Sequence, residues 1–179
     1  VLMLFDATEP VGKVDKQLVD LIVEQQKPVL LVVNKWDLYA GDVERSEWAQ
    51  YLRDTFRTMP WAPIAFVTAT KGRNVKAAID TTQRLFRQSQ SRVPTAALNT
   101  IIHAATQATR PPADRKGRPV RIYFATQVDT APPTIVLSTS SAKSLTAPYK
   151  RYLISSLRKN SPFTEVPIKL LVRDHKSRE

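Results

Sequence analysis

Three short, unbroken apolar runs, at residues 1–5, 29–33 and 64–67, are each followed by a segment with apolar side chains at helical spacing. That alternation leaves few folds open to the first half of the chain. Runs of four or five apolar residues are too short for helices and suit strands buried on both faces. After the first run, Val14, Leu18, Leu21 and Ile22 make an i, i+4, i+7, i+8 stripe, the pattern of a helix packed on a sheet. After the second, residues 43–58 carry Trp48, Leu52 and Phe56 at four-residue steps; after the third, Val75, Ala78, Ile79, Thr82, Leu85 and Phe86 share one helical face. Strand and helix in strict alternation predict an α/β unit with a parallel sheet and right-handed crossovers.

The pattern then changes. Residues 88–94, Gln-Ser-Gln-Ser-Arg-Val-Pro, are polar and end in a helix-starting Pro-Thr pair, which places a boundary there and divides the chain into 1–90 and 91–179. Beyond it, Ala97, Leu98, Ile101, Ile102 and Ala105 mark a helix, and residues 110–119 form a loop. Val120, Ile122 and Phe124 alternate with Arg121 and Tyr123, a second strand covers 134–138, Tyr149, Tyr152, Leu153 and Leu157 mark another helix, and Ile168, Leu170 and Val172 alternate in a last strand. Helix, two strands, helix and strand predict a compact α+β domain with a three-stranded sheet.

Charge follows the same division. Residues 1–90 hold 12 Lys and Arg against 11 Asp and Glu, whereas residues 91–179 hold 15 against 5, so +10 of the net +11 lies in the second half. Such a field favours a polyanionic partner, because cations placed near phosphates release condensed counterions. The competing explanation is a solubilising surface. The chain has no Cys, which excludes disulfides and thiolate metal sites. No segment approaches the ~20 apolar residues needed to span a bilayer, and no leader pattern is present; a soluble cytoplasmic protein with no membrane partner is the expectation.

The most specific chemistry stands behind the second apolar run, at Asn34-Lys35-Trp36-Asp37. A carboxylate at the fourth position can accept from guanine's ring N–H and exocyclic amine, a donor pair that adenine lacks. Asp37 would choose the base, Asn34 would fix the loop and touch the base's other edge, and the stem of Lys35 would lie along the ring. The phosphate half is harder to find. A phosphate loop needs Gly-x-x-x-x-Gly-Lys-Ser/Thr, but the only Gly-Lys pair, Gly12-Lys13, has Ala7 five residues before Gly12 and is followed by Val14; it reads as a turn. The one Asp-x-x-Gly match, Asp114 to Gly117, sits in the basic loop and reads as coincidence.

Phe5-Asp6-Ala7-Thr8-Glu9, Val33-Asn34-Lys35-Trp36-Asp37-Leu38, Arg92-Val93-Pro94-Thr95 and Tyr123-Phe124-Ala125-Thr126-Gln127-Val128 with Pro132-Pro133-Thr134, in that order, resemble the bacterial GTPase family called Der or EngA. The resemblance covers essentially the whole chain. It implies the later part of that family's second GTPase domain, with a partial P-loop GTPase fold, followed by its C-terminal KH-like domain. It implies a role in assembly of the large ribosomal subunit, with the subunit or its RNA as partner, and GTP or GDP with Mg as cofactor of an intact parent. It also implies that Thr68-Ala69-Thr70 forms the second base-binding loop, the Ala69 N–H meeting the guanine carbonyl oxygen; the family more often has Ser where Thr68 stands. The family's P-loop, switches and magnesium ligands have no counterpart here, so no catalytic residue is assigned and no tight nucleotide binding is expected. The missing remainder of the parent is itself an expected partner, and residues 1–5, left as an unpaired edge, predict self-association.

In the second half, Arg110, Arg115, Lys116, Arg118 and Arg121 form one candidate nucleic-acid cluster, and Lys150, Arg151, Arg158 and Lys159 another. Neither half contains the Gly-x-x-Gly loop through which KH domains clamp a backbone. Tyr123 and Tyr152 have the chemistry to stack bases, but their alternating positions favour packing. His103 and His175 lack partners at ligand spacing, so no metal site is expected. Two alternatives to the GTPase reading stay open: a nucleotide-independent RNA- or protein-binding module, and a structural domain relaying nucleotide state within a parent.

Overall fold

The computed structural model describes residues 1–39 and 44–175. The chain divides into two compact units, Val1–Ser89 with Glu165–Pro167, and Gln90–Thr164 with the final strand.

The first unit runs β1 (Leu2–Asp6), α1 (Lys13–Glu24), β2 (Leu30–Asn34), the single turn α2 (Trp36–Tyr39), α3 (Arg45–Thr55), β3 (Ile64–Phe66) and α4 (Val75–Gln90). All three strands are parallel in the order β1-β2-β3, with Leu2 beside Leu30 and Val33 beside Phe66. Residue 43, where the sequence pattern begins the second helix, lies outside the described residues. On one face of the sheet, Met3, Phe5, Leu31 and Val33 join Val19, Ile22, Trp48, Leu52 and Phe56 in a continuous core. The other face is covered unevenly: Leu30 and Val32 are buried, but their register neighbours Leu2 and Leu4 are 47% and 57% exposed. Among the described residues, β1 pairs with no strand other than β2.

Two helices bury sets of residues other than the stripes expected from the sequence. In α1 the core takes Val19 and Ile22, while Val14, Leu18 and Leu21 face outward. In α4 it takes Ala78, Leu85 and Ser89, while Ile79 and Phe86 are exposed. Both helices carry an apolar arc wider than the surface packed against them, so one margin of each arc is buried and the other is left bare.

Residues 165–167 return to the first unit. Glu165 receives Nε and Nη2 of Arg84 at 3.1 and 3.0 Å and Nε2 of Gln88 at 3.0 Å, and its own N–H donates to Gln88 Oε1.

The second unit consists of α5 (Thr95–Ala108), β4 (Ile122–Asp129), β5 (Thr134–Thr139), α6 (Ala147–Asn160) and β6 (Lys169–Asp174). β5 is central and wholly buried, antiparallel to β4 and parallel to β6. Leu98, Ile102 and Ala105 of α5 and Tyr149, Leu153 and Leu157 of α6 supply the helical side of its core. A register shift between Ile122 and Phe124 lets Ala125 and Gln127 turn inward while Arg121 and Tyr123 stay outside, the usual consequence of a bulge. Buried Gln127 is satisfied: its amide donates to Ser91 and Asp129 carbonyls and its oxygen accepts the Val93 N–H.

Candidate functional site

The end of β2 and the turn after β3 form one corner in the first unit. Asn34 closes β2, and its Oδ1 accepts the Ala69 backbone N–H at 3.1 Å, tying together two loops 35 residues apart. Lys35 adopts a left-handed backbone, φ 57°, which turns the chain so that Trp36 drops into the core while Asp37 stays partly open. The Trp36 N–H donates to the Val67 carbonyl, a further tie between the loops. Thr68 is buried and forms a two-bond bridge with Arg73. Ala69 and Thr70 are exposed in the short turn Ala69–Lys71, which is closed by Gly72 at φ 65°, a conformation that glycine adopts without strain.

Two ion pairs in the corner escape a motif-based reading. Lys71 Nζ lies 2.8 Å from Asp37 Oδ2, and Lys35 Nζ lies 2.7 Å from Asp6 Oδ2. The Lys71 hydrogen bond holds the Asp37 carboxyl below its ordinary range. Asp6 falls to about 2, first through Lys35 and then through the Thr8 backbone N–H and hydroxyl. Lys71 sits one residue past Thr70, and Asp6 ends β1; adjacency was the only signal for either in the sequence. The Asp37 carboxylate is therefore paired with a cation that is itself mostly exposed. The aliphatic stem of Lys35 lies between the backbone and a charge anchored at Asp6.

A cavity of 460 Å³ stands elsewhere in this unit, walled by Ala7, Pro10, Tyr39, Trp48 and Tyr51; none of Asn34, Lys35 or Asp37 lines it. Gly12, in the expected turn, starts α1, and its N–H donates to Asp15 Oδ2 at 2.8 Å. A carboxylate at that helix start opposes a phosphate there.

In the second unit, Arg115, Lys116, Arg118 and Arg121 come together around the loop that precedes β4, joined by Lys143 and Ser140, which the sequence did not single out. Asp114 organises this loop by accepting the backbone N–H groups of Arg118 and Lys116, at 2.9 and 2.8 Å, and pairing with the Arg118 guanidinium. Those donors, the Arg118 N–H foremost, hold its carboxyl below the usual range. Arg110 is exposed just after α5, and Arg151 and Lys159 are exposed on α6, with Lys150 partly covered. Arg158 is directed elsewhere: its guanidinium donates to the Phe163 and Thr164 carbonyls, and burial lowers its pKa to about 10.

The two tyrosines behave differently. Tyr152 packs and donates to the Ala105 carbonyl, whereas Tyr123, expected to pack, is 49% exposed with its ring 4.6 Å from that of His175. His103 is exposed on α5.

Residues 92–173 match the family profile described as KH-domain-like of EngA bacterial GTPase enzymes, C-terminal. The chain is 50% identical over 179 residues to GTPase Der of Rhodopirellula baltica, covering 100% of this chain and 39% of that protein. It is 37% identical over 182 residues to GTPase Der of Rippkaea orientalis, covering 100% and 40%, and 34% identical over 176 residues to GTPase Der of Thermomicrobium roseum, covering 97% and 38%. It thus spans about two fifths of the length of these relatives. A solved structure of Era in complex with MgGDPNP and nucleotides 1506-1542 of 16S ribosomal RNA superposes on 97% of this chain and 65% of that one, at 16% identity and a TM-score of 0.43.

Proposed function

The chain belongs to the Der (EngA) family of bacterial GTPases, and from that premise we propose that Asn34, Lys35 and Asp37, with the turn Thr68-Ala69-Thr70, recognise the guanine base of GTP or GDP. The observation that carries this reading is the joining of the two loops through Asn34 Oδ1 and the Ala69 N–H. It leaves the Asn34 amide free to donate to the base and holds the Asp37 carboxylate beside the same turn. On binding, guanine's N1–H and amine replace the Lys71 ammonium on Asp37. Because Lys71 is largely solvent-exposed, it returns to water at little cost. Guanine's carbonyl oxygen shares the Ala69 N–H with Asn34 Oδ1 in a three-centre bond, and the Lys35 stem lies along the ring while Asp6 retains its charge.

The residues present fit the base and not the phosphates or magnesium, since Asp15 occupies the only helix start that carries a Gly-Lys pair. No hydrolytic step is derived from this part of the protein, and tight GTP or GDP binding by this chain alone is not expected. In a longer parent the remaining groups would supply phosphate and magnesium contacts and hydrolysis. We assign the first unit to a GTPase domain and the second to a KH-like domain, working in the cytoplasm in assembly of the large ribosomal subunit. The basic second unit, +10 over residues 91–179, would be the face toward ribosomal RNA.

Saturation-transfer NMR with millimolar GMP and AMP tests the base reading. The expected result is transfer to GMP alone, lost in Asp37→Ala. Equal transfer to both nucleotides would remove it, and micromolar GDP affinity by calorimetry would overturn the separation of base and phosphate sites. The charge of the second unit favours one further reading, a module that binds RNA regardless of nucleotide, for which added GDP leaves RNA affinity unchanged.

A further inference from the structure

Above β4 lies a cavity of 490 Å³ walled by Arg118, Arg121, Tyr123 and Ser140. A second, of 300 Å³, shares Arg118 and Ser140 with it and adds Arg115, Lys116 and Lys143. Together they make one basic groove with an aromatic ring at one end. We propose that this groove is a subsite for single-stranded RNA, in which Tyr123 stacks an unpaired base and Arg121, Ser140 and the loop cations hold the flanking phosphates. The inference rests on the reading of the second unit as the RNA-facing part of the protein and names the site and the form of RNA it takes.

Three features favour that ligand. The Tyr123 ring is backed by His175, which is held by its backbone N–H on the Thr139 carbonyl at 2.7 Å and by Nδ1 against Ser138 Oγ at 3.0 Å. One face of the tyrosine is thus supported while the ring as a whole stays 49% exposed, the condition for stacking a base that is not already stacked in a duplex. The phosphate side is set in advance. Asp114 fixes the loop and the Arg118 guanidinium, and Ser140 Oγ accepts the Arg121 N–H at 3.0 Å, which leaves the serine hydroxyl to donate to a phosphate oxygen. Finally, among the described residues Asp114 is the only carboxylate lining either cavity and is already engaged by Arg118, so the field at the groove is positive.

The test is fluorescence anisotropy on the full chain, with a short labelled RNA strand, the same strand annealed to its complement, and a labelled poly-glutamate peptide, across a KCl series. The expected result is a preference for the single strand, weakened about 5- to 100-fold by Tyr123→Ala and unchanged by Tyr123→Phe. Arg121→Ala is expected to reduce the slope of log affinity against log salt by about one. Circular dichroism melting of each variant separates loss of the groove from loss of the fold. Wild-type RNA binding that both Tyr123→Ala and Arg121→Ala leave intact would overturn the groove while sparing the RNA-facing reading. Absence of RNA binding by the wild type would overturn both, and groove-dependent binding of poly-glutamate at equal affinity would replace the nucleic acid with an acidic protein.

Discussion

At the residue scale, the corner proposed to read guanine is flanked by two paired lysines, Lys35 on Asp6 and Lys71 on Asp37. In the proposed base site Lys71, paired with Asp37 at 2.8 Å, would compete with the base, so Lys71→Ala is expected to raise the weak affinity for GMP a few-fold, read by the same NMR titration, because an exposed ion pair is worth about 0–1 kcal/mol. A fall in affinity would mean that Lys71 contacts the nucleotide. Asp6 offers a pH test. Its folded pKa is depressed to about 2 by Lys35 and Thr8, so the pair with Lys35 is present above the ordinary carboxylate range, about 4, and its contribution is lost as pH falls from there through about 2. A carbon-13 titration of the Asp6 carboxyl should have its midpoint near 2 and move upward in Lys35→Ala. Asn34, Lys35 and Asp37 were legible in the sequence because their spacing is local. Lys71, Asp6 and Ser140 were not, because their partners come from other strands and turns.

At the element scale, the order of strands and helices follows from periodicity, but the face each helix buries does not. A stripe such as Val14, Leu18 and Leu21 records an apolar surface and leaves its covering unspecified. The sheet instead takes Val19 and Ile22. Ile22→Ala is therefore expected to lower the unfolding free energy by about 2–5 kcal/mol, and Leu18→Ala to change it by less than about 0.5 kcal/mol, both by urea denaturation. Equal effects would restore the stripe read from the sequence. The bulge in β4 acts in the same way. By shifting the alternation after Ile122 it buries Ala125 and Gln127 and keeps Tyr123 in the open, an outcome that a strict period of two cannot show. Arg158 reads as a surface cation in sequence, yet carbonyls six residues away or fewer capture it.

At the scale of the whole molecule, the side of β1 that pairs with no strand among the described residues, with the exposed Leu2 and Leu4, makes an edge that a second copy can complete, since open strand edges template further pairing. Light scattering of the purified chain is expected to show concentration-dependent dimers that Leu4→Lys returns to monomers; a monomer at all concentrations would remove this expectation.

The sequence by itself determined the strand and helix order, the polar break near residue 90, the concentration of positive charge beyond it, and the tetrad Asn34-Lys35-Trp36-Asp37. All of these are properties of neighbouring residues or of simple periods along the chain. The tertiary structure decided which apolar arcs are covered, that Glu165 returns to the first unit on Arg84 and Gln88, that Lys71 rests on Asp37, and that Tyr123 stands open beside Arg121 in one groove. Each of those depends on which distant segments meet, and burial and ion pairing are set by that meeting.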